Sequence, residues 1–175
     1  LYNAGLTLKL RQLLDEGKLR FVFQPVIDIN QSTVLGFEAL MRGPEGTPLE
    51  RPEELLRLAK SCNLGLELEI AACKGAIRAF ADLHLPGKLF LNLSASSIVA
   101  FSFFGGGALL HCAVDVGLPP SRLILELTEH ERVEDADALR VAFAALAAQG
   151  VGLALDDFGD GRSSLRLWAE LKPQI

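Results

Sequence analysis

Cysteine, histidine and surplus positive charge are all scarce in this chain, and each shortage removes a class of function. Its three cysteines, Cys62, Cys73 and Cys112, are odd in number, widely spaced and set in apolar helical patterns. That fits reduced core thiols better than disulfides or a zinc knuckle. The three histidines, His84, His111 and His130, show no paired spacing that suits zinc, which argues against a histidine-based metal centre. No apolar run approaches the ~20 residues that span a bilayer, and the first residues lack a basic segment followed by an apolar one. The expectation is a soluble, unprocessed, cytoplasmic chain with no membrane segment. The net charge of −5 argues against non-specific binding of DNA or RNA polymers, which are held by clustered Lys and Arg. An anionic substrate would need cations supplied from solution. No internal repeat or low-complexity segment occurs apart from Gly105-Gly106-Gly107.

What the chain has is apolar residues in ordered rhythms. Half of its 175 residues are hydrophobic, enough to bury one core. Leu6, Leu10, Leu13 and Leu14 recur at helical spacing before Gly17, which predicts an amphipathic helix over about 3–16. Arg20 to Ile27, rich in Phe and Val, predicts a strand, and Val34 to Leu40 a second. The polar connection over 28–33 is too short to cross a sheet, so these two strands should pair antiparallel. Strand and helix then alternate. Helices are expected from Pro52, over 67–80, over 108–116 and over 134–148, with strands at 89–93, 122–127 and 151–155. Such alternation implies parallel strands joined by right-handed crossovers, with helices packed outside.

The predicted class is α/β, and the architecture a β/α barrel beginning with one antiparallel strand. A closed eight-stranded barrel takes about 250 residues. Five strands are expected here, with Leu165 to Leu171 as the helix after the fifth, so the barrel should be incomplete and three strands absent. An open last strand would leave an apolar flank.

Chemistry in such barrels gathers at the C-terminal ends of the strands. Glu38 lies near the end of the second strand, Asn92 near that of the third, Glu126 near that of the fourth, and Asp156-Asp157 directly after the fifth. A carboxylate inside a barrel strand is unfavourable unless paired or metal-bound, and here separate segments place one at the same level. All are oxygen donors, which suits Mg²⁺ or Mn²⁺. Adjacent aspartates can bridge two ions ~3.5–4 Å apart, the arrangement used for metal-assisted hydrolysis of a phosphodiester.

These segments carry a family resemblance. Gln24-Pro25-Val26, Glu38-Ala39-Leu40 with Arg42, Asn92-Leu93-Ser94, Glu126-Leu127-Thr128-Glu129 and Asp156-Asp157-Phe158-Gly159 resemble, in order and spacing, the EAL-domain cyclic-di-GMP phosphodiesterases of bacteria. The resemblance covers about Lys9 to Ile175 and implies a modified TIM-like barrel with one antiparallel strand. It implies that Glu38, Asn92, Glu126 and Asp156 ligate one metal, Mg²⁺ or Mn²⁺, and that Asp156 with Asp157 reaches a second. Glu38, Asp156 and Asp157 would then be catalytic, and Glu129 would anchor the loop after Asp157. Gln24, Leu40 and Arg42 would contact substrate, Arg42 offering its planar fork to a phosphate. The implied reaction opens cyclic di-GMP to linear pGpG. A homodimer and attached sensory or cyclase domains are further expectations of the resemblance. The family loop Gly-Thr-Gly-Tyr-Ser-Ser is here Gly159-Asp160-Gly161-Arg162-Ser163-Ser164. The family's catalytic lysine and later ligands fall beyond Ile175, and Lys172 is not that lysine, so the 175 residues alone are expected to be inactive while the intact parent is the enzyme.

Two other readings are kept: a receptor that binds the dinucleotide without hydrolysing it, and an inert interaction surface. Phe101, Phe103 and Phe104 are read as core aromatics, Gly105 to Gly107 as an irregular loop, and Glu67 and Glu69 as a solvated helix face. Ser94 and Thr128 are read as helix caps.

Overall fold

The computed structural model describes residues 2–102, 106–128, 135–156 and 173. Helix α1 (Tyr2–Asp15) ends at Gly17, whose φ of +62° reverses the chain into β1 (Arg20–Asp28). β1 turns back through the Asp28 carboxylate, which accepts from the amides of Asn30 and Gln31, and pairs antiparallel with β2 (Thr33–Arg42). Helices α2 (Pro52–Ser61) and α3 (Gly65–Asp82) cross over to β3 (Lys88–Asn92). Helices α4 (Ala95–Ala100) and α5 (Gly106–Asp115) lead through a 3₁₀ turn at Pro120–Arg122 to β4 (Leu123–Thr128). Helix α6 (Ala136–Ala147) leads to β5 (Gly152–Asp156). The sheet order is β1-β2-β3-β4-β5, and every pairing after the first is parallel. The antiparallel start and the parallel remainder are as expected for this α/β barrel class.

Alternation along the strands sorts the side chains into two layers. The outer layer, with Leu89, Leu91, Leu123, Leu125, Leu127 and Leu153, packs against α3 to α6 in the main core. At its centre Phe80 of α3 is fully buried, with ring centroids 5.8 Å from Phe23 and 6.4 Å from Phe37. The guanidinium of Arg122 lies 5.1 Å from the Phe80 centroid and donates to the carbonyls of Leu85 and Gly87, closing the α3–β3 turn under the start of β4. A second cluster, with Leu10, Leu13, Leu55, Leu58 and Leu68, joins α1 to α2 and α3. The inner layer holds a small apolar floor of Phe90, Ile124 and Ala154.

The structure corrects several boundaries. α4 lies between the expected strand at 89–93 and the expected helix over 108–116, where no helix is expected: Ser94 caps it by accepting from the Ser97 amide, and six residues are too few to show a helical period. Gly106 and Gly107 open α5 and do not extend a loop, because α5 is anchored by buried Leu109, Leu110 and Ala113 farther along. β2 runs on to Arg42, since β1 supplies a partner as far as Arg20, so Glu38 sits inside the strand and not at its tip. Cys73 and Cys112 are buried, Cys62 is half-buried, and all three are free thiols. Among the described residues no helix is long and apolar enough to cross a membrane.

Candidate active site

Strand register decides which polar residues meet. Glu38 is level with Phe90 on β3, Asn92 with Glu126, Glu126 with Ala154, and Asp156 with Thr128. Level neighbours in a sheet share a face, as do residues two apart along a strand. Asn92 is two beyond Phe90 and Asp156 two beyond Ala154, so Glu38, Asn92, Glu126 and Asp156 all belong to the inner face, just above the Phe90–Ile124–Ala154 floor. Gln24 lies opposite Glu38 on the antiparallel partner strand, and Leu40 and Arg42 follow Glu38 on the same face. Seven sequence-expected residues, Gln24, Glu38, Leu40, Arg42, Asn92, Glu126 and Asp156, are therefore gathered on one surface.

Contacts and charge link four of them, Glu38, Asn92, Glu126 and Asp156. The Asn92 side-chain amide donates to Glu38 Oε1 at 2.6 Å. Among the described residues Glu126 Oε2 is shut off from solvent with no hydrogen-bond partner. Burial pushes the Glu126 carboxyl up to about 8, and the negative charges of Glu38 and Asp156 push it the same way. A carboxylate in that position has to take up a proton or face a cation. Among the described residues no three Asp, Glu, His or Cys side chains are drawn together as a ready-made ion site. One of the four convergent donors is an asparagine, and Asp157 lies outside the described residues. The donor set itself, all oxygen with an orphaned carboxylate at its centre, fits a hard divalent cation and does not fit zinc.

Beside this face a cavity of about 410 Å³ opens between β2, β3 and helices α2 and α3, with Leu40, Arg42, Glu69, Asn92, Ser94 and Glu126 in its lining. Arg42 Nη1 donates to the Met41 carbonyl at 2.8 Å, its hydrogen bond among the described residues. Gln24 is exposed. Glu129 lies outside the described residues, as do Phe103, Phe104, Gly105, His130, Lys172, residues 157–171 with the loop departures Asp160 and Arg162, and Thr128 as regards its side chain.

One residue was misread from the sequence. Glu67 is exposed, as a solvated face requires, but Glu69 is half-buried and its Oε2 accepts from both the backbone N–H and the hydroxyl of Ser94, each at 2.9 Å. The signal was present: Glu69 precedes buried Cys73, Ala76 or Ile77, and Phe80 at successive helical steps, so a carboxylate stands in line with an apolar stripe. Burial, and then the Glu69 charge, raise the Cys73 thiol far above its usual range, which keeps it protonated.

Comparisons with known proteins give the family. The bifunctional diguanylate cyclase/cyclic di-GMP phosphodiesterase MucR of Pseudomonas aeruginosa is 35% identical over 89% of this chain and 23% of its own length. The phosphodiesterase structure of MucR in complex with c-di-GMP superposes with a TM-score of 0.78 at 31% identity, over 97% of this chain and 70% of that one. BlrP1 of Klebsiella pneumoniae, in a calcium/cyclic-di-GMP complex, superposes with a TM-score of 0.77 at 29% identity, over 89% of this chain and 39% of that one. The chain spans about a quarter of the length of curated relatives such as MucR. The EAL domain model matches residues 8–175, and this chain belongs to the EAL domain family.

Proposed function

We propose that the full-length protein carrying this domain hydrolyses cyclic di-GMP to linear pGpG with two divalent cations, Mg²⁺ or Mn²⁺. The observation that carries the reading is Glu126 Oε2, a buried carboxylate oxygen without a partner among the described residues, pressed by the charges of Glu38 and Asp156. Glu38, Asn92, Glu126 and Asp156 would hold one cation, and Asp156 with Asp157 the other. Cations held there would supply an acidified water and neutralise the bridging phosphate.

The remaining work falls to the chain. The Asn92 amide, donating to Glu38 Oε1, orients the Glu38 carboxylate that would hold a cation. Arg42 presents its guanidinium to a phosphate oxygen, a charge-assisted contact that needs no proton transfer. Gln24, opposite Glu38, offers an amide to the dinucleotide, and Leu40 gives an apolar contact between Glu38 and Arg42. By the family resemblance, Glu129 would anchor the loop that follows Asp157, both outside the described residues. The apolar floor beneath the donors limits water on the side away from substrate, which strengthens each electrostatic contact. Curated relatives described as cyclic di-GMP phosphodiesterases, MucR and NbdA, support the same reaction, as do the manganese and calcium complexes of BlrP1 with the dinucleotide.

Incubating the full-length protein with cyclic di-GMP and Mn²⁺ or Mg²⁺, and resolving the products by chromatography, tests the reading. Linear product is expected, and Glu38→Ala should abolish it. Tight binding with no product under either ion would make the domain a receptor instead.

A further inference from the structure

Glu69 belongs to no strand end and to none of the motifs read from the sequence, yet it is tied to the segment that delivers Asn92. Asn92 is the last residue of β3, and two residues later Ser94 opens α4. Between them, the Leu93 amide donates to the Glu126 carbonyl at 3.0 Å, which pins the exit of β3 to β4. From the other side Glu69, on α3, receives the Ser94 N–H and hydroxyl on a single oxygen. The Ser94 Oγ is thereby oriented to accept from the Ser97 amide at 3.1 Å. Glu69, Ser94, Asn92 and Glu126 line one cavity, so the clamp sits beside the donors and not on a remote face.

We infer that Glu69 is a positioning residue for the cation site: it holds Ser94, and through the two-residue link Ser94–Leu93–Asn92 it fixes where the Asn92 side chain meets Glu38. The inference rests on the metal-dependent reading above. What the clamp requires is reach and an acceptor oxygen, not negative charge. A glutamine has both, because its carbonyl oxygen can accept the two Ser94 donors. An aspartate keeps the charge but falls one methylene short.

The test is Mn²⁺ affinity, measured by electron paramagnetic resonance of free ion in the full-length protein without nucleotide, so it does not depend on turnover. Removing an outer support of a ligand typically weakens metal binding by 10- to 100-fold. Glu69→Asp and Glu69→Ala should weaken Mn²⁺ binding about tenfold or more, while Glu69→Gln stays close to wild type. Ser94→Ala combined with Glu69→Asp should be no weaker than the worse single variant. If Glu69→Gln loses affinity while Glu69→Asp keeps it, charge is what matters and the inference is overturned. It is also overturned if every Glu69 variant that folds, judged by circular dichroism, binds Mn²⁺ normally. Should wild type bind Mn²⁺ but not hydrolyse cyclic di-GMP, the proposed reaction fails while the Glu69 comparison still stands or falls on affinity.

Discussion

At the scale of single residues the decisive feature is a carboxylate that the fold holds in the wrong company. Burial, and then the charges of Glu38 and Asp156, push the Glu126 carboxyl up to about 8 from an ordinary 4.5. The folded state therefore keeps a proton that the unfolded chain releases, and the sign follows: stability contributed by Glu126 is complete below about 4.5 and is lost as pH rises towards about 8. In metal-free protein the melting temperature should fall across that window, and Mn²⁺ should restore most of the loss at its upper end. Glu126→Gln should flatten the pH dependence and abolish the Mn²⁺ effect; an unchanged slope in that variant would show that other groups cause it. Ion binding at neutral pH should also release a proton from this carboxyl, which calorimetry in buffers of different ionisation enthalpy would detect.

At the scale of elements the site depends on how closely strands and helices approach. Gly36 of β2 runs so near β3 that a Cβ there would overlap the backbone of Lys88. Two residues on is Glu38, so Gly36→Ala should prise β2 from β3 where Glu38 meets Asn92. A loss of roughly 2–3 kcal/mol in urea unfolding is expected, with Mn²⁺ affinity reduced in whatever remains folded. A contrasting change is Asp135→Ala, which removes the cap of α6, where the carboxylate accepts from the Ala138 amide at 2.8 Å. It should cost about 1 kcal/mol and leave ion binding as it was. Element identity was largely legible beforehand, since apolar periods mark α1, α2, α3 and α6, glycine stops at Gly17 and Gly150 close α1 and α6, and a short polar connection can only make a hairpin. The helix α4 was not legible, because six residues cannot display a 3.6-residue period and only the Ser94 cap announces it.

For the whole molecule, stability and site share one support. Phe80 ties α3 to β1 and β2 through Phe23 and Phe37, and Arg122 lies over its ring while bonding the turn before β3. Phe80→Ala should cost about 3–5 kcal/mol, read as a lowered denaturation midpoint. Because α3 also carries Glu69, the truncation should weaken Mn²⁺ binding as well; full affinity in a folded Phe80→Ala protein would separate core from site. The sequence alone determined the chemical character of the site. Oxygen donors at the ends of successive strands, a period of two that sends them to one face, and the alternation that makes those strands parallel are all properties of the chain taken in order. Only the tertiary structure decided the partners. That Asn92 serves Glu38, that Glu126 keeps a buried oxygen unpaired among the described residues, and that Glu69 grips Ser94 follow from strand register and helix docking. Those relations join residues 25 and 54 positions apart, where no local pattern carries the information.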